Sequence, residues 1–162
     1  METLLLSDHC PDDIQRAGDI LRRGGLVAIP TETVYGLAAN ALDGEAVKKI
    51  YQAKGRPSDN PLIVHISRFS QLAPLVREVP ESAQKLAAAF WPGPLTIILP
   101  KSDVIPRQTS GGLDTVAVRC PSQPPARAVI DAAGVPLAAP SANLSGKPSP
   151  TTFLHVREDL TG

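Results

Sequence analysis

Two short segments combine residue types that could bind a polyphosphate. The first is Lys54-Gly55-Arg56-Pro57, in which glycine and proline favour a loop directly after a predicted helix. In an extended loop, residues two apart point to the same side, so Lys54 and Arg56 would project together. Lysine supplies a compact charge and arginine a two-pronged fork, a pair suited to phosphate oxygens. The alternative is a solvated helix end, where cations favour the helix dipole.

The second segment, residues 140–150, is rich in hydroxyl groups and follows a predicted strand. Ligands of open α/β sheets bind beyond the carboxyl ends of strands. Ser141 and Asn143 are two apart, and Ser149 is placed to cap a following helix, whose N-terminus would attract phosphate. The alternative is a Ser/Gly-rich turn with an ordinary helix cap. The segment contains no Walker motif.

Single polar residues on strands and loops are weaker candidates. His65 shares a predicted strand face with Ile63, where a histidine is usually a hydrogen-bonded structural residue. Thr115 and Arg119 are four apart on one predicted strand and therefore share a face, although an arginine at a strand end is usually a surface residue. The hydroxyls of residues 31–36 would recognise a small polar ligand or simply satisfy a loop. No paired carboxylates, Ser–His–Asp spacing or zinc-ligand pattern stands out, and no general base is identified.

The composition limits the classes of function. The 162 residues carry 16 basic and 16 acidic side chains, and this zero net charge argues against a chain built mainly as a basic nucleic-acid clamp. Aromatic residues, at 4%, are few for base stacking. Cys10 and Cys120 lack metal or Cys-x-x-Cys spacing and are expected to be reduced thiols. No apolar run reaches the roughly 20 residues of a membrane helix and no signal peptide is visible, which indicates a cytoplasmic protein.

The elements that must position these residues alternate between helices and strands, which is typical of one open α/β layer structure. Periodicity predicts helices over residues 11–23, 43–54, 68–76, 80–90, 126–133 and from 149 onward. It predicts strands over residues 26–30, 61–66, 95–99, 115–119 and 135–139. Residues 31–40 are expected to form a loop because they are small and polar. The last helix reaches the end of the sequence where a further strand would normally follow, so the C-terminal part of the fold is expected to be missing.

Six segments, taken in order, resemble the successive signatures of the YrdC-like family. They are residues 31–37, 54–57, 60–66, 91–96, 115–119 and 140–143. The resemblance covers the chain from about Ile14 to its end. It implies one YrdC-like α/β domain over residues 1–162, C-terminally incomplete, with a twisted open mixed sheet, flanking helices and a concave basic cleft.

The resemblance also implies a reaction. Family members are nucleotidyltransferases that make L-threonylcarbamoyladenylate from L-threonine, bicarbonate and ATP, with Mg²⁺ arriving on the nucleotide and pyrophosphate leaving. Partner enzymes then transfer the threonylcarbamoyl group to an adenosine of certain tRNAs, and tRNA itself is a further candidate partner. The family's catalytic tetrad falls on Lys54, Arg56, Ser141 and Asn143. ATP contacts would add Asn60, Thr115, Ala139 and Ser149, and threonine contacts would fall on Thr33, His65 and Arg119.

Two other readings remain open. A hydrogenase-maturation carbamoyltransferase domain resembles this fold but adenylates carbamoyl phosphate, and its zinc-finger and acylphosphatase-like regions do not occur in this sequence. A non-catalytic RNA-binding module would use the cleft only as a docking surface, which the zero net charge and the few aromatics weaken. Threonine-dependent release of pyrophosphate separates all three readings.

Overall fold

The computed structural model describes residues 11–30, 35–54 and 61–140. Within these ranges the helices are α1 (Pro11–Arg22), α2 (Gly44–Lys54), α3 (Glu81–Phe90), α4 (Arg107–Ser110) and α5 (Pro124–Ala133). The strands are β1 (Val27–Pro30), β2 (Tyr35–Asn40), β3 (Ile63–His65), β4 (Thr96–Pro100), β5 (Thr115–Arg119) and β6 (Leu137–Ala139). Two 3₁₀ turns occupy Phe69–Gln71 and Ala73–Leu75.

The described strands form one open sheet in the order β1-β2-β6-β3-β5-β4. Only β3 and β5 run parallel, whereas every other neighbouring pair is antiparallel. The predicted open mixed sheet with flanking helices is therefore confirmed. The register sets His65 beside Arg119 on β5 and beside Leu137 on β6.

One face of the sheet is buried along its length. Side chains alternate between the two faces of a strand, so Val64, Val116 and Val118 point to this face together. They join α2 in one apolar cluster, in which Val47 and Ile50 are fully buried. Asp43 caps α2 as predicted, because its Oδ1 accepts hydrogen bonds from the main-chain N–H groups of the second and third residues that follow.

The opposite face is covered over only part of its width. Helices α1 and α5 pack on β1, β2 and β6, where Leu21, Ile29, Ile130 and Leu137 are buried. The two helices approach closely because residue 18 is glycine: a Cβ there would lie 2.6 Å from the main-chain carbon of Ala132. The rest of this face belongs to β3, β5 and β4.

The predicted loop over residues 31–40 is wrong in its second part, because Tyr35–Asn40 forms β2. Small residues such as Ala38 and Ala39 have little strand propensity of their own. Here β2 pairs with β1 on one side and β6 on the other, and both alanines are fully buried beneath the layers that cover the sheet. Pairing and burial therefore override the local preference.

Two further elements differ from the expectation. The predicted helix over residues 68–76 is two short 3₁₀ turns, because Pro74 cannot supply the main-chain N–H that a continuous α-helix needs. Helix α4 was not predicted, because four residues are too short for periodicity to reveal. It is held by Thr109, whose hydroxyl donates to the carbonyl oxygen of Ala41 at 2.7 Å. The other helices and strands lie within a few residues of their predicted bounds, and the helix predicted from residue 149 lies outside the described residues.

Candidate functional site

Strands β3, β5 and β4 present a partly exposed surface that we call the open face. It consists of the side chains on one side of these strands: Ile63, His65, Thr96, Ile98, Thr115, Ala117 and Arg119. Ile98 is 64% exposed, whereas its neighbours on β4, Ile97 and Leu99, point to the other face and are buried. The open face therefore offers an apolar middle, Ile98 with Ala117 and Ile63, between polar groups at either end.

Arg119 stands at one end of the open face, and it is only 7% exposed. The expectation of a surface arginine, which the strand-end position alone favoured, is therefore wrong. Its Nε donates to the carbonyl oxygen of Gly93 at 3.3 Å, and its own carbonyl oxygen accepts from the main-chain N–H of Ile66 at 2.9 Å. A buried guanidinium needs such partners, since a charge removed from water is costly when it is unpaired. A positive group of this kind is suited to a carboxylate.

His65 lies beside Arg119 in the register and is 3% exposed. Its Nδ1 is 3.1 Å from the carbonyl oxygen of Ile63, so Nδ1 carries a proton in this hydrogen bond. That contact restrains the orientation of the ring. His65 is therefore hydrogen-bonded, as expected of a lone histidine on a strand face, and its contact with a ligand stays a prediction.

The other end of the open face holds Thr115, half-buried at the start of β5. It is four residues from Arg119 along the strand, a distance of about 13 Å. Ala139 lies toward the same end, where it pairs with Ile63, but its side chain is buried beneath α1 and α5. Any contact of Ala139 with a ligand would therefore use its main chain.

The structure thus brings together some of the predicted site residues. His65 and Arg119 are neighbours, while Thr115 and Ala139 lie toward the opposite sheet edge. Lys54 is the last residue of α2, and nothing is described of its side chain. The remaining candidates lie outside the described residues: Thr33, Arg56, Asn60, Ser141, Asn143 and Ser149.

The turn over residues 91–95 forms a wall beside Arg119 that sequence reasoning did not assign to the site. Trp91 closes it, with Nε1 donating to the carbonyl oxygen of Leu95 at 2.8 Å. The indole also contacts the ring of Phe69, with the centroids 6.5 Å apart. The signal available was the glycine between two prolines after a tryptophan, which marks a tight turn but does not reveal what that turn contacts.

A second polar cluster lies beyond the end of β3 and ties the sheet to α5. Ser67 is buried, and its hydroxyl donates to Asp131, while Arg127 donates to the carbonyl oxygen of Ser67 at 3.2 Å. The main-chain N–H of Ser67 donates to the side-chain oxygen of Gln71 at 2.7 Å. These contacts fix the chain two residues after His65, and we assign them a structural role.

The described part of the chain contains no group of three or more histidine, cysteine, aspartate or glutamate residues arranged to hold a metal ion. None of the helices within the described ranges is long and apolar enough to span a membrane.

Comparison with known proteins defines the class to which this fold and site belong. The chain matches the Sua5/YciO/YrdC family model, described as telomere recombination, over residues 19–162. The chain belongs to this family, and the resemblance seen in the sequence is confirmed.

Individual relatives are highly similar. The chain is 61% identical over 149 residues to the threonylcarbamoyl-AMP synthase of Pyrococcus abyssi, and 59% identical over 158 residues to that of Bacillus subtilis. These alignments cover 92% and 97% of this chain but only 44% and 45% of the relatives. The structure of P. abyssi Sua5 complexed with L-threonine has a TM-score of 0.92 at 59% identity, covering 94% of this chain and 45% of that protein. The chain thus spans less than half the length of these relatives.

Proposed function

We propose that this protein is a nucleotidyltransferase that makes L-threonylcarbamoyladenylate from L-threonine, bicarbonate and ATP. The observation that carries the proposal is the 61% and 59% identity to two threonylcarbamoyl-AMP synthases across almost the whole chain. The similar P. abyssi structure contains L-threonine, which is the substrate that distinguishes this reaction from its alternatives.

The reaction has two bond-forming steps. The amine of threonine attacks carbon dioxide derived from bicarbonate and loses a proton, which gives a carbamate. A carbamate oxygen then attacks the α-phosphorus of ATP, supplied as its Mg²⁺ complex, and the bond to the pyrophosphate oxygen breaks. Such nucleotidyl transfers depend chiefly on positioning and on stabilising charge on the phosphates. The products are L-threonylcarbamoyladenylate, pyrophosphate and water.

The open face suits a substrate with one carboxylate end and one phosphate end. Arg119 would hold the carboxylate of threonine, and His65 would contact the same substrate, because the two side chains are neighbours at one end. Thr115 lies about 13 Å away toward the nucleotide end. The apolar middle, with Ile98 and Ala117, would exclude water from the region between them.

The residues proposed to bind phosphate belong to two chain segments whose described neighbours, residues 61 and 140, lie toward this nucleotide end. Residue 61 follows the segment with Lys54, Arg56 and Asn60, and residue 140 precedes the segment with Ser141, Asn143 and Ser149. Because β3 and β6 are antiparallel neighbours, the start of one strand and the end of the other meet at the same sheet edge. Lys54 and Arg56 would neutralise phosphate charge, and Ser141 and Asn143 would orient phosphate oxygens.

The wider role follows from the product. A mixed anhydride of this kind is an activated acyl donor, so we propose that partner enzymes transfer its threonylcarbamoyl group to tRNA in the cytoplasm. We also propose that residues 1–162 belong to one YrdC-like domain whose cleft is lined by the basic residues named above.

The test is pyrophosphate release by the full-length protein, with threonine, bicarbonate and ATP each omitted in turn. We expect release only when all three are present. Equal release without threonine would contradict the proposal, and release that requires carbamoyl phosphate instead would favour the carbamoyl-adenylating alternative. RNA binding with no release under any condition would favour the non-catalytic one.

A further inference from the structure

We propose that the main-chain carbonyl of Gly93 positions Arg119 for the carboxylate of threonine, and that residue 93 is glycine for this reason. The inference rests on the proposed function, because it deepens the role assigned there to Arg119. It adds a positioning residue from a turn that lies 26 residues earlier in the chain.

Two hydrogen bonds connect the turn to the end of β5. Arg119 Nε donates to the carbonyl oxygen of Gly93 at 3.3 Å. In the other direction, the main-chain N–H of Gly93 donates to the carbonyl oxygen of Cys120 at 2.8 Å. Residue 93 is therefore held by the residue that follows Arg119, while it holds the side chain of Arg119 itself. The two bonds keep the acceptor and the guanidinium in a fixed relation.

The position of this contact on the guanidinium matters for recognition. A guanidinium is planar, so a hydrogen bond at Nε fixes the orientation of its whole fork. With Nε directed at Gly93, the turn sets the orientation of the end formed by Nη1 and Nη2, the end of a guanidinium that can form two parallel hydrogen bonds with a carboxylate. Loss of the Gly93 contact would leave the charge in place and remove one constraint on the orientation of the fork.

The structure also explains why a side chain is not tolerated at residue 93. Gly93 is buried, and a Cβ on it would lie 2.6 Å from the carbonyl oxygen of Phe90, closer than such atoms approach. An alanine would therefore push the turn away from Phe90 and displace the carbonyl that Arg119 contacts. The bond from Trp91 to Leu95 closes the turn around Gly93 and limits how far it can relax.

A double-mutant cycle on the full-length protein tests the proposal. Threonine-dependent pyrophosphate release is measured for wild type, Gly93→Ala, Arg119→Ala and the double variant. We expect Gly93→Ala to lower kcat/KM for threonine about tenfold, through KM, and to change KM for ATP less than about twofold, the pattern of a lost ground-state contact. In the Arg119→Ala background, the same change should have almost no further effect, because interacting residues are non-additive.

Two further variants keep the cycle decisive. Gly18→Ala is the matched control, since it makes the same substitution with the same 2.6 Å approach to a main-chain atom, but at the contact with Ala132. We expect it to lower stability and to leave KM for threonine unchanged. Trp91→Phe removes the N–H that closes the turn without adding volume, so it replaces Gly93→Ala in the cycle if that variant does not fold. We expect it to raise KM for threonine about threefold, again only when Arg119 is present.

Each outcome separates this inference from the function on which it rests. An equal loss of kcat/KM from Gly93→Ala in both backgrounds would overturn the positioning role and leave the proposed function intact. Unchanged use of threonine by Arg119→Ala would overturn the assignment of Arg119 itself, and the inference with it.

Discussion

On one side of the same sheet, strands β1, β2 and β6 lie beneath α1 and α5, whereas β3, β5 and β4 present the open face. The covered half is made of apolar and small residues in close contact, and Gly18 leaves no room for a Cβ beside Ala132. The open half buries two polar side chains instead, His65 and Arg119, each bound to a main-chain carbonyl oxygen. On this side of the sheet, apolar packing is thus concentrated in one half and the capacity for recognition in the other.

The contrast follows from how each kind of group is satisfied. Apolar side chains are stabilised by any close neighbour, so two helices suffice to cover β1, β2 and β6. A buried arginine needs hydrogen-bond acceptors in defined directions, which the turn over residues 91–95 supplies to Arg119. If the two halves are separate in this way, substitutions in one should alter stability and substitutions in the other should alter substrate use.

The largest expected effect on stability is in the covered half. Leu21 is fully buried between α1 and the sheet, so Leu21→Ala should lower the free energy of unfolding by about 2–5 kcal/mol, the cost of a core cavity. The matched control is Leu113→Ala, because Leu113 is 51% exposed and should change stability by less than about 0.5 kcal/mol. Urea unfolding of both variants measures the difference. Similar losses for the two would contradict the burial of Leu21 in the α1–α5 cluster.

The next effect is at the contact between the covering helices. Gly18→Ala should lower the free energy of unfolding by about 1–3 kcal/mol through overpacking against Ala132, although alanine favours the helix by about 1 kcal/mol. Thermal unfolding followed by circular dichroism would measure the change. A rise in the melting temperature would mean that α1 and α5 can move apart without any loss of stability.

The third expected effect is on activity, and it concerns the residues proposed to bind phosphate at the nucleotide end of the open face. Arg56→Lys keeps the charge but loses the planar fork, so a two-pronged phosphate contact predicts a loss of activity of about tenfold, or 1.4 kcal/mol. Steady-state rates of Arg56→Lys measure this loss. Lys54→Ala is measured for comparison, because that variant removes a positive charge completely. A silent Arg56→Lys would reduce the role of Arg56 to general positive potential.

The smallest effect is expected on the exposed floor of the open half. Ile98 is 64% exposed, so Ile98→Ser should change the free energy of unfolding by less than about 0.5 kcal/mol. Ile97→Ser, one residue away but buried on the other face, should cost several times more. Parallel urea titrations compare them, and equal costs would contradict the assignment of Ile98 to an open surface.

The sequence predicted the elements whose signal is local. Helix α2 was predicted from the cap at Asp43 and its apolar stripe, and β5 was predicted residue for residue as Thr115–Arg119. Strand β2 was missed because its small residues form a strand only when β1 and β6 pair with it. Strand order and register depend on contacts between distant residues, and no local pattern contains them.

The candidate site was also predicted only in part from the sequence. Residue types and spacing identified His65 and Arg119 as candidates, and the family resemblance assigned them to threonine. That the two are neighbours follows from the parallel pairing of β3 with β5, which the sequence did not reveal. The contact of Arg119 with Gly93 was not foreseeable either, because it uses a main-chain carbonyl and main-chain groups carry no residue-type signal.

The most direct test of the central claim is calorimetric titration of L-threonine and of ATP into the wild-type and Arg119→Ala full-length proteins. A charge-assisted contact to a carboxylate contributes about 1.5–3 kcal/mol, so threonine should bind more than about tenfold more weakly to the variant. ATP should bind with nearly unchanged affinity, because Arg119 lies at the end of the open face away from Thr115. Unchanged threonine affinity, or an equal loss for both ligands, would contradict the division of the open face into a carboxylate end and a nucleotide end.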